Sequence, residues 1–190
     1  MLHPRTLTIV GLLLAGAATR ILPHWPNFTA MGAVCLFGGA CLRPRWAALL
    51  VPLAALAISD LYLAAFVYGL SSLRSVPVSY GLFALITGLG MLLGRRITGG
   101  RVLLSAVGAS TLFFFGSNFA VWWLGHRYPH TPAGLWACYL AGLPFAWNML
   151  AADLVYSGLF FGAWAVLQRR VPALRDEASP ARLATRTAAG

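Results

Sequence analysis

The chain contains no lysine and almost no acid. All fourteen basic residues are arginine, facing three aspartates and one glutamate, for a formal net charge of +10 over 190 residues. Charged residues make up only 9% of it, against roughly 25% in a typical soluble domain. A water-soluble fold of this composition would lack the polar surface to cover itself. Cysteine is also scarce: Cys35, Cys41 and Cys138 form no CxxC pair and are odd in number, which argues against a disulfide framework or a zinc site. HExxH, Walker and Gly-rich dinucleotide motifs are missing, and Gly116-Ser117-Asn118 is not a GxSxG elbow. The sequence therefore points away from an enzyme and from ATP hydrolysis by this chain. The positive charge does not indicate nucleic acid either, because the arginines lie between or beyond apolar runs and form no basic stripe with interleaved aromatics.

What the chain does have is apolar length. Hydrophobic residues are 59% of it and the mean hydropathy is +0.76. A membrane-spanning helix needs ~20 mostly apolar residues to cross ~30 Å of hydrocarbon. Six segments meet or approach this, at 5–22, 28–42, 46–69, 78–94, 102–124 and 142–168. The second is short and rich in small residues (Gly32, Ala33, Gly38, Gly39, Ala40), which predicts burial inside a bundle or an irregular, tilted course. The first run resembles a signal peptide in its small residues at 15–18, but Arg20 follows at once and the rest of the chain is equally apolar, so it reads as a retained helix. The expected fold is all-α: a six-helix membrane domain over 1–172, with 173–190 a polar, disordered cytoplasmic tail.

The connectors are of two kinds. Arg5, Arg43, Arg45, Arg95, Arg96, Arg101, Arg169, Arg170, Arg175, Arg182 and Arg186 fall at one end of such a bundle, and only Arg20, Arg74 and Arg127 at the other. The positive-inside rule then places both termini in the cytoplasm. The outer loops instead concentrate His, Trp, Tyr, Asn and Pro. Loop one runs Leu22-Pro23-His24-Trp25-Pro26-Asn27-Phe28, loop three from Tyr68 through Ser71, Ser72, Arg74 and Pro77 to Ser79 and Tyr80, and loop five from Gly125 to Tyr139 with Tyr128 and Trp136.

Polar groups inside apolar helices are costly and call for a reason. Asp60 and Asp153 lie in the third and sixth segments, and Arg20 near the outer end of the first. Two compatible roles are open to them: an Arg–Asp pair that fixes helix packing, and the polar floor of a cavity. A membrane-embedded enzyme acting on a lipid or isoprenoid would use the same two aspartates as its catalytic groups. Asn118 and Trp122 share a helix face, and Trp147 and Asn148 open the sixth segment. Rings and amides together suit a bulky organic ligand, while interfacial anchoring is the competing role for the tryptophans. His24, His126 and His130 are candidate metal ligands, although Pro129 breaks the helical spacing of the last two. Gly11, Ala15 and Thr19 form a small-residue face for internal packing or for a partner protein in a scaffold.

Three stretches resemble a known family when taken together. They are Arg20-Ile21-Leu22-Pro23-His24-Trp25-Pro26-Asn27-Phe28-Thr29 running into Leu36-Phe37-Gly38-Gly39-Ala40, then Pro52-Leu53 with Ser59-Asp60, and then Ser117-Asn118-Phe119-Ala120-Val121-Trp122 with Gly142-Leu143-Pro144-Phe145. Over about residues 15–165 the chain resembles the substrate-binding S-components of energy-coupling-factor vitamin transporters, and within them the solitary cobalamin-transport S-components of Gram-negative bacteria. The resemblance implies a six-helix S-component bundle in the bacterial inner membrane. It implies a vitamin, cobalamin or a precursor, held as transported ligand by outer loops one, three and five, with another vitamin or a metal ion as the alternative cargo. It also implies either solitary action or docking to an energy-coupling module. Cobalamin-binding members place a cysteine as axial cobalt ligand near the third loop and fourth helix; this chain reads Val76-Pro77-Val78-Ser79-Tyr80-Gly81 there, with no thiol.

Overall fold

The computed structural model describes residues 3–70 and 76–175. They form helices α1 (Pro4–Ala18), α2 (Met31–Cys41), α3 (Arg45–Leu63, continued by a π-helical turn over Ala64–Tyr68), α4 (Val76–Leu93), α5 (Gly99–Leu124) and α6 (Pro132–Arg170), followed by a short 3-10 turn at Pro172–Leu174. No strand occurs among the described residues. α3 with its π turn, α5 and α6 are long and apolar enough to cross a membrane.

α2 organises the bundle. All eleven of its residues are buried, and it touches each of the other five helices. At ~1.5 Å per residue it is only about 16 Å long. Small residues on both partners let α2 and α4 approach: a Cβ on Gly39 of α2 would collide with the Thr87 carbonyl, one on Gly90 of α4 with that of Leu36, and one on Gly94, just past α4, with that of Ala40. α2 and α4 therefore run parallel, locked backbone to backbone. The larger volume is supplied by Phe37, whose ring meets Phe160, Phe161 and Trp164 of α6 at centroid distances of 5.8, 5.3 and 6.1 Å. Burial of this short, small-residue helix matches the sequence expectation.

Contact order along the other pairs gives alternating directions. Gly16 of α1 faces Val34 and Gly38 faces Pro52 of α3; Gly116 of α5 faces Leu82 and Gly108 faces Leu89; Ser110 meets Asp153 while Asn118 meets Gly142 of α6. Three arginines meet at one end of the bundle. Arg5 lies 5.4 Å from the centre of the Trp164 ring and donates to the Leu174 carbonyl, and Arg5, Arg43 and Arg175 line one small cavity there.

The structure changes several expectations. α1 ends at Ala18 and α2 starts at Met31, so loop one is longer at both ends than the apolar run predicts. Loop five is much shorter: only residues 125–131 connect α5 to α6, and Trp136 and Pro144 lie within one 39-residue helix. The start is marked by Thr131, whose hydroxyl accepts from the Gly134 N–H (3.1 Å), and by Pro132 in the first turn, a favourable N-cap and N1 pair. Pro144 is accommodated in the helix interior, as prolines in membrane helices are. Internal packing of the Gly11–Ala15–Thr19 face is also overturned. Gly11 and Ala15 are exposed, with open space beside Gly11, and the small residue that packs α1 inward is Gly16. Ser71, Ser72, Arg74 and the tail from residue 176 lie outside the described residues.

Candidate functional site

A cavity of about 720 Å³ opens at the end of the bundle opposite the arginine cluster. Loop one, the first turn of α2, the outer half of α3, and residues of α4, α5 and α6 enclose it. Loop one crosses above α2 in a fixed conformation. Thr19 ties the two helix ends, donating to the Gly16 carbonyl (2.7 Å) and accepting from the Ala30 N–H (3.4 Å). Asn27 takes a left-handed conformation (φ 62°), one that Asn tolerates better than most residues, and the Phe28 N–H closes a turn onto the Trp25 carbonyl (2.9 Å). Across the cavity, Asn148 Nδ2 of α6 donates to the Pro26 carbonyl (3.0 Å).

Two carboxylates face this space, in different surroundings. Asp60 is paired: Arg20 Nη1 lies 2.6 Å from its Oδ1 and also donates to Ser59 Oγ (2.7 Å), and the Tyr80 hydroxyl hydrogen-bonds to Asp60. This network joins the end of loop one to α3 and α4, so the Arg–Asp pair read from the sequence is present and also forms part of the cavity wall. Asp153 is buried and has neutral partners only. Ser110 Oγ donates to its Oδ2 (2.5 Å), and the backbone N–H of Ala33 donates to it. α2 has no side-chain cap of its own; Asp153 supplies one from α6, at the positive end of the α2 dipole. Gly32 makes the approach possible, since a Cβ there would overlap the carboxylate.

Of the residues singled out in the sequence, Arg20, His24, Asn27, Asp60, Tyr68, Ser79 and Asp153 line the cavity. Others support it from behind: Tyr80 through Asp60, Asn148 through Pro26, and Phe28, whose ring packs on Trp25 and Tyr156, each at 5.9 Å. A third set is not brought to it. Trp25, Trp136 and Trp147 point outward, exposed by 72, 65 and 70%. Asn118 bonds back to the Phe114 carbonyl (2.9 Å) and abuts Gly142 in the α5–α6 seam. Trp122 donates to the Pro129 carbonyl (2.9 Å) and meets Trp123 at a tilt and His130 edge-on at the hairpin tip, where Tyr128 also lies. The expected rings and amides of α5 and α6 are thus not part of this cavity's lining. The three histidines are not gathered either: His24 is bonded within loop one, at 2.6 Å to the Leu22 carbonyl, and His130 to the Trp122 carbonyl. No group of three metal-ligating side chains occurs among the described residues. Sequence reading missed Ser110, Met149 and the apolar cavity wall of Leu56, Phe83 and Phe113; nothing in an apolar run marks which residues border empty space.

The family described as "Family of unknown function (DUF6580)" matches residues 1–174. The chain belongs to this family. No curated protein and no solved structure matches it.

Proposed function

We propose that this chain is a membrane-embedded substrate-binding subunit for vitamin uptake, with cobalamin or a precursor as ligand. The observation that carries the reading is the cavity: about 720 Å³, within the ~300–1,000 Å³ range of organic-ligand sites, mostly apolar and with a few fixed polar groups. In this reading all six helices are embedded in the bacterial inner membrane. The arginine-rich end and both termini face the cytoplasm, and the cavity opens outward beneath loop one. The exposed Gly11 and Ala15 supply a smooth face for an energy-coupling module. The identity of the vitamin leans on the family resemblance. Ser79 lines the cavity, in the stretch where the cobalamin S-components that the chain resembles carry cysteine, so in this reading corrinoid binds without a cobalt–thiolate bond.

The test is purification from cells grown with cobalamin, followed by an absorption spectrum and thermal melting in detergent. Bound corrinoid gives corrin bands, and ligand at 100-fold excess over its dissociation constant stabilises the fold by about 2.7 kcal/mol. A colourless protein whose melting temperature responds to no vitamin at such excess overturns the reading.

A further inference from the structure

We infer that Asp153 is the specificity-determining residue of the cavity and that the ligand meets it with a cationic or N–H donor group. The inference rests on the cavity being the ligand site. Asp60 is matched by Arg20, so that pair adds little net charge to the wall. Asp153 has no matching cation among the described residues. The groups facing it are the Ser110 hydroxyl from α5, the Ala33 N–H and Gly32 from α2, and Met149 one turn away on its own helix. A carboxyl group offers more acceptor positions than the two donors use. Asp153 nevertheless lines the cavity, at the N-terminal end of α2. Donors on the ligand complete its hydrogen bonding, whereas a carboxylate or phosphate at the same depth adds like-charge repulsion in a water-poor site.

The same chemistry bears on which corrinoid would fit. A corrin ring carries peripheral carboxamides, which are N–H donors, and the nucleotide loop of the finished vitamin adds a phosphodiester. Asp153 therefore favours the donor-bearing, phosphate-free end of such a molecule at the floor and leaves any phosphate toward the mouth.

The experiment measures dissociation constants in detergent for wild-type protein and Asp153→Asn. The probes are cyanocobalamin, phosphate-free cyanocobinamide, cationic thiamine, uncharged menadione and anionic nicotinate, the last two without an N–H donor. Wild-type protein is expected to bind cationic or phosphate-free probes more tightly than nicotinate. Asp153→Asn is expected to weaken the best of them about 30-fold and to leave menadione unchanged. Asn retains an acceptor for the Ala33 N–H, and melting without ligand reports whether the variant folds. If it does not, Ser110→Ala keeps the carboxylate and should keep the preference for donors, and the wild-type ranking itself decides. Nicotinate binding as tightly as the cationic probes, or wild-type affinity in a folded Asp153→Asn, overturns the inference while the vitamin-binding reading stands. Failure of every probe to bind wild-type protein removes that reading, and the inference with it.

Discussion

α2 and the outer part of the α5–α6 hairpin are built from opposite materials. α2 is made largely of glycine, alanine and cysteine and is buried over its whole length. The hairpin carries Trp122, Trp123, Trp136 and Trp147 and leaves most of that aromatic surface exposed. In water the large rings would be inside. In a bilayer there is no hydrophobic drive to bury them, and tight helix association relies on small residues that admit close backbone contact. The contrast teaches where each kind of substitution will be felt: in α2 a single methyl group is an obstacle, and in the hairpin the loss of a whole indole changes little.

The largest expected effect is steric. Gly39→Val or Gly90→Val drives a side chain into the backbone of the facing helix and should cost about 3 kcal/mol or more, read as a collapse of the melting temperature in detergent. Gly11→Val, into open space, should lie within about 0.5 kcal/mol of wild type. Equal melting temperatures for Gly39→Val and Gly11→Val would break the contrast.

Next comes the cavity wall. Arg20→Ala leaves Asp60 without its cation in a mostly buried setting and should destabilise by about 2 kcal/mol. Because the two residues form one pair, Arg20→Ala with Asp60→Asn should cost less than the sum of the single changes; a double-variant melt that is strictly additive would show that the pair is not coupled. Asn148→Ala removes the bond to the Pro26 carbonyl and should cost about 1 kcal/mol, with faster ligand release as the functional readout if loop one covers the ligand. The smallest effect is expected for Trp136→Leu and Trp147→Leu, within about 0.5 kcal/mol and with unchanged ligand affinity. A loss of binding in either would return the hairpin aromatics to the site and erase the difference between the two regions.

The helices and their order were legible in the sequence, because apolar length is a property of the chain alone, and Arg5, Arg43 and Arg175 of the expected basic end do line one cavity. The pairing of Arg20 with Asp60 was legible as well: a buried charge demands a partner, and few were on offer. Loop five was misread because its aromatic and proline content resembles a connector, while the Thr131-Pro132 start signal is only two residues long. Asp153 was read as a charge on a cavity floor, and it lines the cavity; its capping of α2 could not be read. Its partners Ser110 and Ala33 lie on two other helices, one being a backbone N–H with no signature in the side-chain pattern. Asn118 and Trp122 share a face, as the spacing requires, but spacing does not say which neighbour that face meets. Here it meets the α5–α6 seam and the hairpin tip.

The shortness of α2 has a geometric counterpart above it. Its eleven residues reach only about half-way through a ~30 Å hydrocarbon layer, and they stop at Asp153. The column that two more helical turns would have filled is occupied by a thin strap of loop one and by empty space. The cavity is therefore a vacancy in the helical lattice, walled by residues of α3, α4, α5 and α6. A chain that extended α2 toward Arg20 would gain a longer helix and lose its ligand.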